Sequence, residues 1–175
     1  MPTDRPWSPP SSPPALYTPE QRRRRDESSW TLVQAVLAPL QFAVFLVSLG
    51  LVLRYLATGE GLLVATLSIV LKTGVLYAIM VTGSLWERDV FGRWLFAPAF
   101  FWEDVVSMLV LALHTAYLGA LVSTVVDARQ QMAIALAAYL AYVVNAAQFL
   151  LKLRAARRQQ EAPALATASL LEQSP

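Results

Sequence analysis

Glu103, Ser107, His114 and Tyr117 fall at i, i+4, i+11 and i+14, a spacing that sets a carboxyl, a hydroxyl, an imidazole and a phenol in one line along a helix. Such a line can pass protons or hold a polar ligand, and the residues around it are apolar. Lys72 stands in a second apolar stretch, near mid-membrane if that stretch spans a bilayer, where insertion costs a lysine about 2.5 to 3.5 kcal/mol. A charge so placed needs a partner or a function. It could form an ion pair with Glu103, stand as a neutral amine bonded to Gln41 or Asn145, or anchor the carboxylate or carbonyl of a ligand. His114 is the one histidine of the chain and also has two readings, a neutral imidazole bonded to a neighbouring helix or a ligand to a metal that a substrate carries. Lys72, Glu103 and His114 together would also suit a small ion or proton pathway. Cysteine is absent, which excludes disulfides, thiolate nucleophiles, cysteine-ligated zinc and iron–sulfur clusters.

Four apolar runs must position these groups. The chain of 175 residues is 56% hydrophobic with a mean hydropathy of +0.47, against roughly 45 to 50% apolar residues in soluble domains. The runs cover residues 30–57, 62–86, 100–122 and 131–153. The first would be roughly 40 Å long as a helix, enough for a hydrocarbon core of ~30 Å with some tilt, and Pro39 is a candidate kink. A TGEG turn at 58–61 joins the first two runs, and a charged, aromatic connector, ERDVFGRWLFAPAFFWED, leads to the third. In the first run Gln34, Gln41, Ser48 and Tyr55 recur every seven residues on one face of a left-handed bundle. The second carries a broader sector of Ser68, Lys72, Thr73, Tyr77 and Glu87, and the fourth offers Asn145, Gln148 and Lys152 at i, i+3 and i+7. Polar side chains avoid hydrocarbon, so the four lines should converge on one interior. The pattern predicts an all-α membrane protein, a four-transmembrane-helix bundle.

Basic residues orient it. Arg5, Arg22 to Arg25, Arg88, Arg93, Lys152, Arg154, Arg157 and Arg158 fall on one side, and Arg54 and Arg129 on the other, so both termini and the connector should be cytoplasmic. Residues 1–29, rich in Pro, Ser and Arg, lack the apolar segment of a secretory signal and read as a flexible cytoplasmic tail. Residues 154–175 read as a second cytoplasmic tail, basic and then Ala-rich. The arginine run serves as the orientation signal and attracts anionic lipid rather than nucleic acid. Trp86, Trp94 and Trp102 join Trp30 at the inner edge alone. A one-sided cluster, mixed with Glu87, Asp89, Glu103 and Asp104, suits either an aromatic belt or a large flat apolar ligand.

The stretches LYTPEQRRRRD, SWTLVQAVLAPLQF, LVLRYLATGEG, LYAIMVTGSLWE, LFAPAFFWEDV, LALHTAYL and QMAIALAAYLAYVVNAAQFLLKLR resemble the 3-vinyl bacteriochlorophyllide hydratase family of bacteriochlorophyll biosynthesis, over roughly residues 16–158. The resemblance implies a multi-pass enzyme of the bacterial inner or intracytoplasmic membrane that adds water across the C3 vinyl group of a chlorophyllide-type macrocycle to give a 1-hydroxyethyl group. No cofactor is then expected, magnesium being carried by the substrate. The expected partners are the tetrapyrrole, membrane lipid and neighbouring pigment-biosynthesis enzymes, with no nucleic acid.

Under that expectation the reaction needs a protonated acid and a group to aim a water. A carboxyl buried among apolar aromatics has its neutral form favoured and can donate at neutral pH. Glu103, beside Phe101 and Trp102 and on the line of Ser107 and His114, fits this role best. Asp104, about 100° away around the helix, would orient the water or the connector, and Glu87 is the alternate acid. His114, about 16 Å from Glu103 along the helix, would reach the substrate magnesium as its axial ligand. Lys72 would meet a ring carbonyl or the propionate, Gln41, Asn145 and Gln148 the remaining edge, and Trp102 the flat face. A non-catalytic membrane tetrapyrrole carrier or sensor of the tryptophan-rich kind, expected to have five spans, is the competing reading.

Overall fold

The computed structural model describes residues 16–123 and 125–172, with side chains described as far as residue 158. Five helices follow one another: α1 (Pro19–Glu27), α2 (Ser29–Thr58), α3 (Leu62–Phe91), α4 (Phe101–Ser123) and α5 (Ala128–Glu172). Four segments are long and apolar enough to cross a membrane: α2, α3, α4 and the part of α5 from Ala128 to Arg158.

Local chemistry sets the ends. Thr18 and Gln21 form a reciprocal cap before Pro19 opens α1. Pro39 lies within α2 without interrupting it. Gly59, at φ 74°, turns the chain out of α2 while its N–H donates to the Tyr55 carbonyl, and Gly92, also at φ 74°, does the same for α3 against Arg88. At the start of α5, Asp127 and Gln130 cap each other, Gln130 N–H donating to Asp127 Oδ1 at 2.8 Å and Asp127 N–H to Gln130 Oε1 at 3.0 Å.

α2 packs chiefly on α3, and α4 on α5, so two antiparallel hairpins meet along thinner α3–α4 and α2–α5 seams. Each seam carries a polar bond. Across α2–α3 Ser48 and Ser68 lie 2.7 Å apart and Gln34 donates to Thr82 at 2.8 Å. Across α4–α5 Asn145 donates to Ser107 at 2.9 Å. Lys72 bonds His114 at 2.9 Å across α3–α4, and Ser48 bonds Tyr139 at 2.5 Å across α2–α5. The core between them holds Phe45, Val52, Ile69, Leu76, Val110 and Tyr117 among others.

Part of the segment expected as a flexible tail over 1–29 is helical and packed. Residues 19–27 are helical, and Tyr17 is buried, stacked on Phe91 at 5.9 Å and packed beside Val90 and Phe100. Burial pushes the Tyr17 phenol up, while the Arg25 guanidinium over its ring pulls the other way. Ser28 ties the end of α1 to Asp89 at 2.5 Å. Residues 1–15 lie outside the described part. At the other end, the tail expected from 154 continues α5 as helix to Glu172, and residues 173–175 lie outside the described part.

Tyr17→Ala removes an aromatic anchor whose burial is worth about 2 kcal/mol. It should open α1 roughly 30-fold more often and speed tryptic cleavage at Arg22 to Arg25 by that factor. Cleavage within α2 to α5 should not change, and unaltered cleavage at the arginines would show that Tyr17 does not hold α1.

Candidate active site

The inward-facing polar residues form two groups at different depths. Lys72 and His114 make the deeper one, and neither has exposed surface. The Nδ1–H of His114 donates to the Val110 carbonyl at 2.8 Å, since that oxygen only accepts, and Nε2 is thereby left to receive Lys72 Nζ at 2.9 Å. The amine also faces the rings of Tyr142 at 4.2 Å, Tyr139 at 5.1 Å and Phe45 at 5.9 Å. Lys72 therefore pairs with neither Glu103, Gln41 nor Asn145, the partners expected from the sequence. Both nitrogens of His114 are used, which leaves none for an axial magnesium bond in this arrangement. Tyr139 and Tyr142 escape a reading by polar stripes, although Tyr139, Tyr142 and Asn145 at intervals of three mark one face of α5.

The second group lies about 16 Å away along α4, counting eleven residues from His114 to Glu103 at ~1.5 Å each. Glu87, Glu103 and Asp104 are all buried here. Glu103 and Asp104 point in directions about 100° apart and so reach different neighbours. Glu103 turns to α5 and takes Lys152 at 2.5 Å. Asp104 turns to α3, where its carboxyl lies within hydrogen-bonding reach of Glu87. The loop between α3 and α4 clamps this pair: Phe96 N–H donates to Asp104 Oδ2 at 2.8 Å, and Ala97 N–H to Glu87 Oε2 at 3.1 Å. Phe96 adopts φ 59°, a left-handed conformation uncommon for a bulky residue. These two backbone donors carry no sequence signal, because any residue but proline supplies an N–H. Lys152 is legible in the sequence only as the last member of the α5 stripe.

An aromatic wall flanks the carboxyls. Phe100 stacks on Phe149 at 5.9 Å, meets Trp86 edge-on at 5.6 Å, and lies 4.9 Å under Lys152 Nζ. Trp86 donates to Thr31 at 2.9 Å. The other connector tryptophans stand apart: Trp94 is exposed and stacks on Arg88, and Trp102 is 69% exposed. They do not line one interior bed. Asn145 and Gln148 lie on α5 below Lys152, and Gln41 is buried on α2. A surface cleft of about 400 Å³ lined by Arg24, Glu27, Ser28 and Asp89 opens beside α1. It shares no residue with either group, and its charged walls suit water better than an apolar macrocycle.

Four apolar spans around buried, cross-bonded titratable groups, with carboxyls gathered at one end, define a polytopic membrane protein. A family model described as 2-vinyl bacteriochlorophyllide hydratase matches residues 17–155. A 2-vinyl bacteriochlorophyllide hydratase of Cereibacter sphaeroides is 65% identical over 157 residues, covering 87% of this chain and 98% of its own. One of Rhodobacter capsulatus is 66% identical over 145 residues, covering 83% and 84%. No solved structure matches. The chain belongs to the 2-vinyl bacteriochlorophyllide hydratase family, where the older macrocycle numbering calls 2 the vinyl position that the systematic one calls 3.

The Lys72–His114 contact has an asymmetric consequence. His114→Ala strips a buried amine of its acceptor and should destabilise the protein by about 1 to 3 kcal/mol. Lys72→Met leaves the neutral Nε2 acceptor unmet but no longer buries an amine, and should cost less. Unfolding in mixed micelles under rising SDS measures both, and equal losses would contradict the account.

Proposed function

We propose that the Glu87–Asp104 pair donates the proton when this hydratase adds water across the C3 vinyl group of a chlorophyllide-type macrocycle to give a 1-hydroxyethyl group. The protein is a hydro-lyase of bacteriochlorophyll biosynthesis. The observation that carries the reaction is the 65% identity over almost the whole length of a curated hydratase. What supports the mechanism is the adjacency of the two carboxyls.

Two carboxyls side by side hold one proton between them, because two negative charges so close repel. That proton goes to the terminal vinyl carbon, breaking the π bond and leaving positive charge on the inner carbon, conjugated with the macrocycle. The carboxylates left behind stabilise this cation. Water then attacks the inner carbon through its oxygen and returns one proton to the carboxyl cluster, so the acid is regenerated. The addition is redox-neutral and asks for no cofactor, and magnesium enters with the substrate. Glu103, the best acid by sequence position, is engaged by Lys152 at 2.5 Å, which favours the neighbouring pair for the donor role. The sequence-based roles of Lys72 and His114 at the pigment pass to fixing the bundle. Glu87 and Asp104 face each other across the thin α3–α4 seam, the path by which a macrocycle dissolved in lipid would bring its vinyl edge to the acid. The excess of Lys and Arg at this end supports a cytoplasmic placement of the carboxyls and both termini. The membrane is then a bacterial inner or intracytoplasmic one, whose lipid and neighbouring pigment enzymes deliver and receive the macrocycle.

Membranes holding the protein, given chlorophyllide a, should yield a product heavier by one water. Pigment returned with its vinyl group intact would make the protein a carrier. Glu87→Gln and Asp104→Asn should each lower turnover by about 10² to 10⁴-fold, the usual worth of a general acid, with pigment still bound. Glu103→Gln should lower it less, and a larger loss there than at Glu87 or Asp104 would return the donor role to Glu103.

A further inference from the structure

Between the Lys72–His114 pair and the carboxyl cluster lie polar atoms that no protein group meets. Gln41 is 2% exposed, yet neither its Nε2 nor its Oε1 has a hydrogen-bond partner among the described residues, and the same holds for the buried Asn145 Oδ1 and Gln148 Oε1. For Gln41 this does not depend on which way the amide is turned, since both ends are free. Helix register brings these groups to neighbouring depths. The ring of Phe45 on α2 lies 4.9 Å from that of Tyr142 on α5. One turn toward the connector end from these, in opposite chain directions, come Gln41 and Asn145. Gln148 follows three residues on, and Lys152, with Glu103 against it, four beyond that, or about 6 Å.

We infer that Gln41, Asn145 and Gln148 bind the water that is added to the vinyl group. The inference rests on the hydratase reading. Its ground is the chemistry of the free atoms: three are acceptor oxygens and one is a donor N–H. The polar rim of a chlorophyllide is made of carbonyl and carboxylate oxygens, which only accept, and such a rim would leave the amide oxygens as unmet as before. Water donates two hydrogen bonds and accepts two, and a buried water typically makes about three. Its product counterpart, the new hydroxyl, still donates one. The amides lie on α2 and α5, the acid pair on α3 and α4, so a vinyl group entering between the walls meets its proton from one side and its nucleophile from the other. Oriented oxygens that draw on the water's hydrogens also direct its lone pair at the inner carbon, as the addition requires.

Full-length protein carrying ¹⁵N-labelled glutamine side chains, reconstituted in lipid, gives a test that needs no turnover. In solid-state NMR with magnetisation passed from water, the Gln41 amide signal, assigned by its loss in Gln41→Leu, should appear although the side chain is buried. A Gln41 amide that receives nothing from water overturns the inference. In the hydration assay, Gln41→Leu and Asn145→Leu should lower kcat about 10- to 100-fold and leave KM and the absorbance-titrated pigment affinity unchanged. A raised KM with kcat kept would place the amides on the pigment, and unchanged kinetics would make them structural; either result overturns it. Should Gln41→Leu not fold, Gln41→Asn, which keeps donor and acceptor but retracts them, should lower kcat alone. Wild-type protein that adds no water to the pigment removes the hydratase reading; an active wild type with a dry Gln41 removes only the water site.

Discussion

Inside a bilayer a polar side chain has no solvent to fall back on, so each one carried by the four long helices must meet another or destabilise the fold. The four seams of the bundle answer this with a bond apiece: Ser48 to Ser68, Lys72 to His114, Ser107 to Asn145, and Ser48 to Tyr139. Lipid gives apolar helices little reason to choose one another, since hydrocarbon surrounds them either way. The polar bonds supply the choice. They also set how far each helix is slid along its neighbour.

The two polar groups differ in what surrounds them, and the difference separates structure from chemistry. The deeper pair is saturated: every nitrogen of His114 is used and the lysine is enclosed by three rings. The carboxyl group sits where the helices give way to the irregular backbone between α3 and α4, and non-helical backbone at such a place is tolerated when protein covers it. α1 supplies cover through Tyr17, packed beside Phe91 and Phe100. The loop spends its free N–H groups on Glu87 and Asp104, which fixes two side chains that would otherwise repel. The left-handed Phe96 is held in that service.

Much of the bundle was legible in the sequence, because helical periodicity states which face of a span is polar. Of the line Gln34, Gln41, Ser48 and Tyr55, the middle two are buried and the outer two half-buried, and Glu103, Ser107, His114 and Tyr117 are buried together on α4. Partners were not legible. Periodicity gives a direction around one helix and says nothing of which helix stands opposite or at what height. Lys72 therefore looked equally able to meet Glu103, Gln41 or Asn145, and meets His114. The tryptophans misled for another reason: an indole is at home both at a membrane edge and against a flat ligand, so composition could not tell the exposed Trp102 from the packed Trp86. α1 was hidden by its charge. A helix polar all round gives no apolar stripe, and its docking depends on Tyr17, two residues before the helix begins.

On the proposed mechanism, charge balance in the carboxyl cluster explains why three acids stand beside one lysine. Lys152 lies 2.5 Å from Glu103 and sets one positive charge against the three carboxyls. In that mechanism Glu87 and Asp104 bear a single negative charge while they hold the proton as a pair. On giving up the proton the pair gains a full negative charge at the moment the substrate gains a positive one, and no ion need move to compensate. Without Lys152 the cluster would begin with a further negative charge, or would bind a second proton and stabilise the cation less. Were Glu103 absent and Lys152 kept, the lysine would face the developing cation unscreened. In the proposed mechanism the ion pair thus adds no proton of its own but sets the charge at which a neighbouring acid can both hold its proton and let it go.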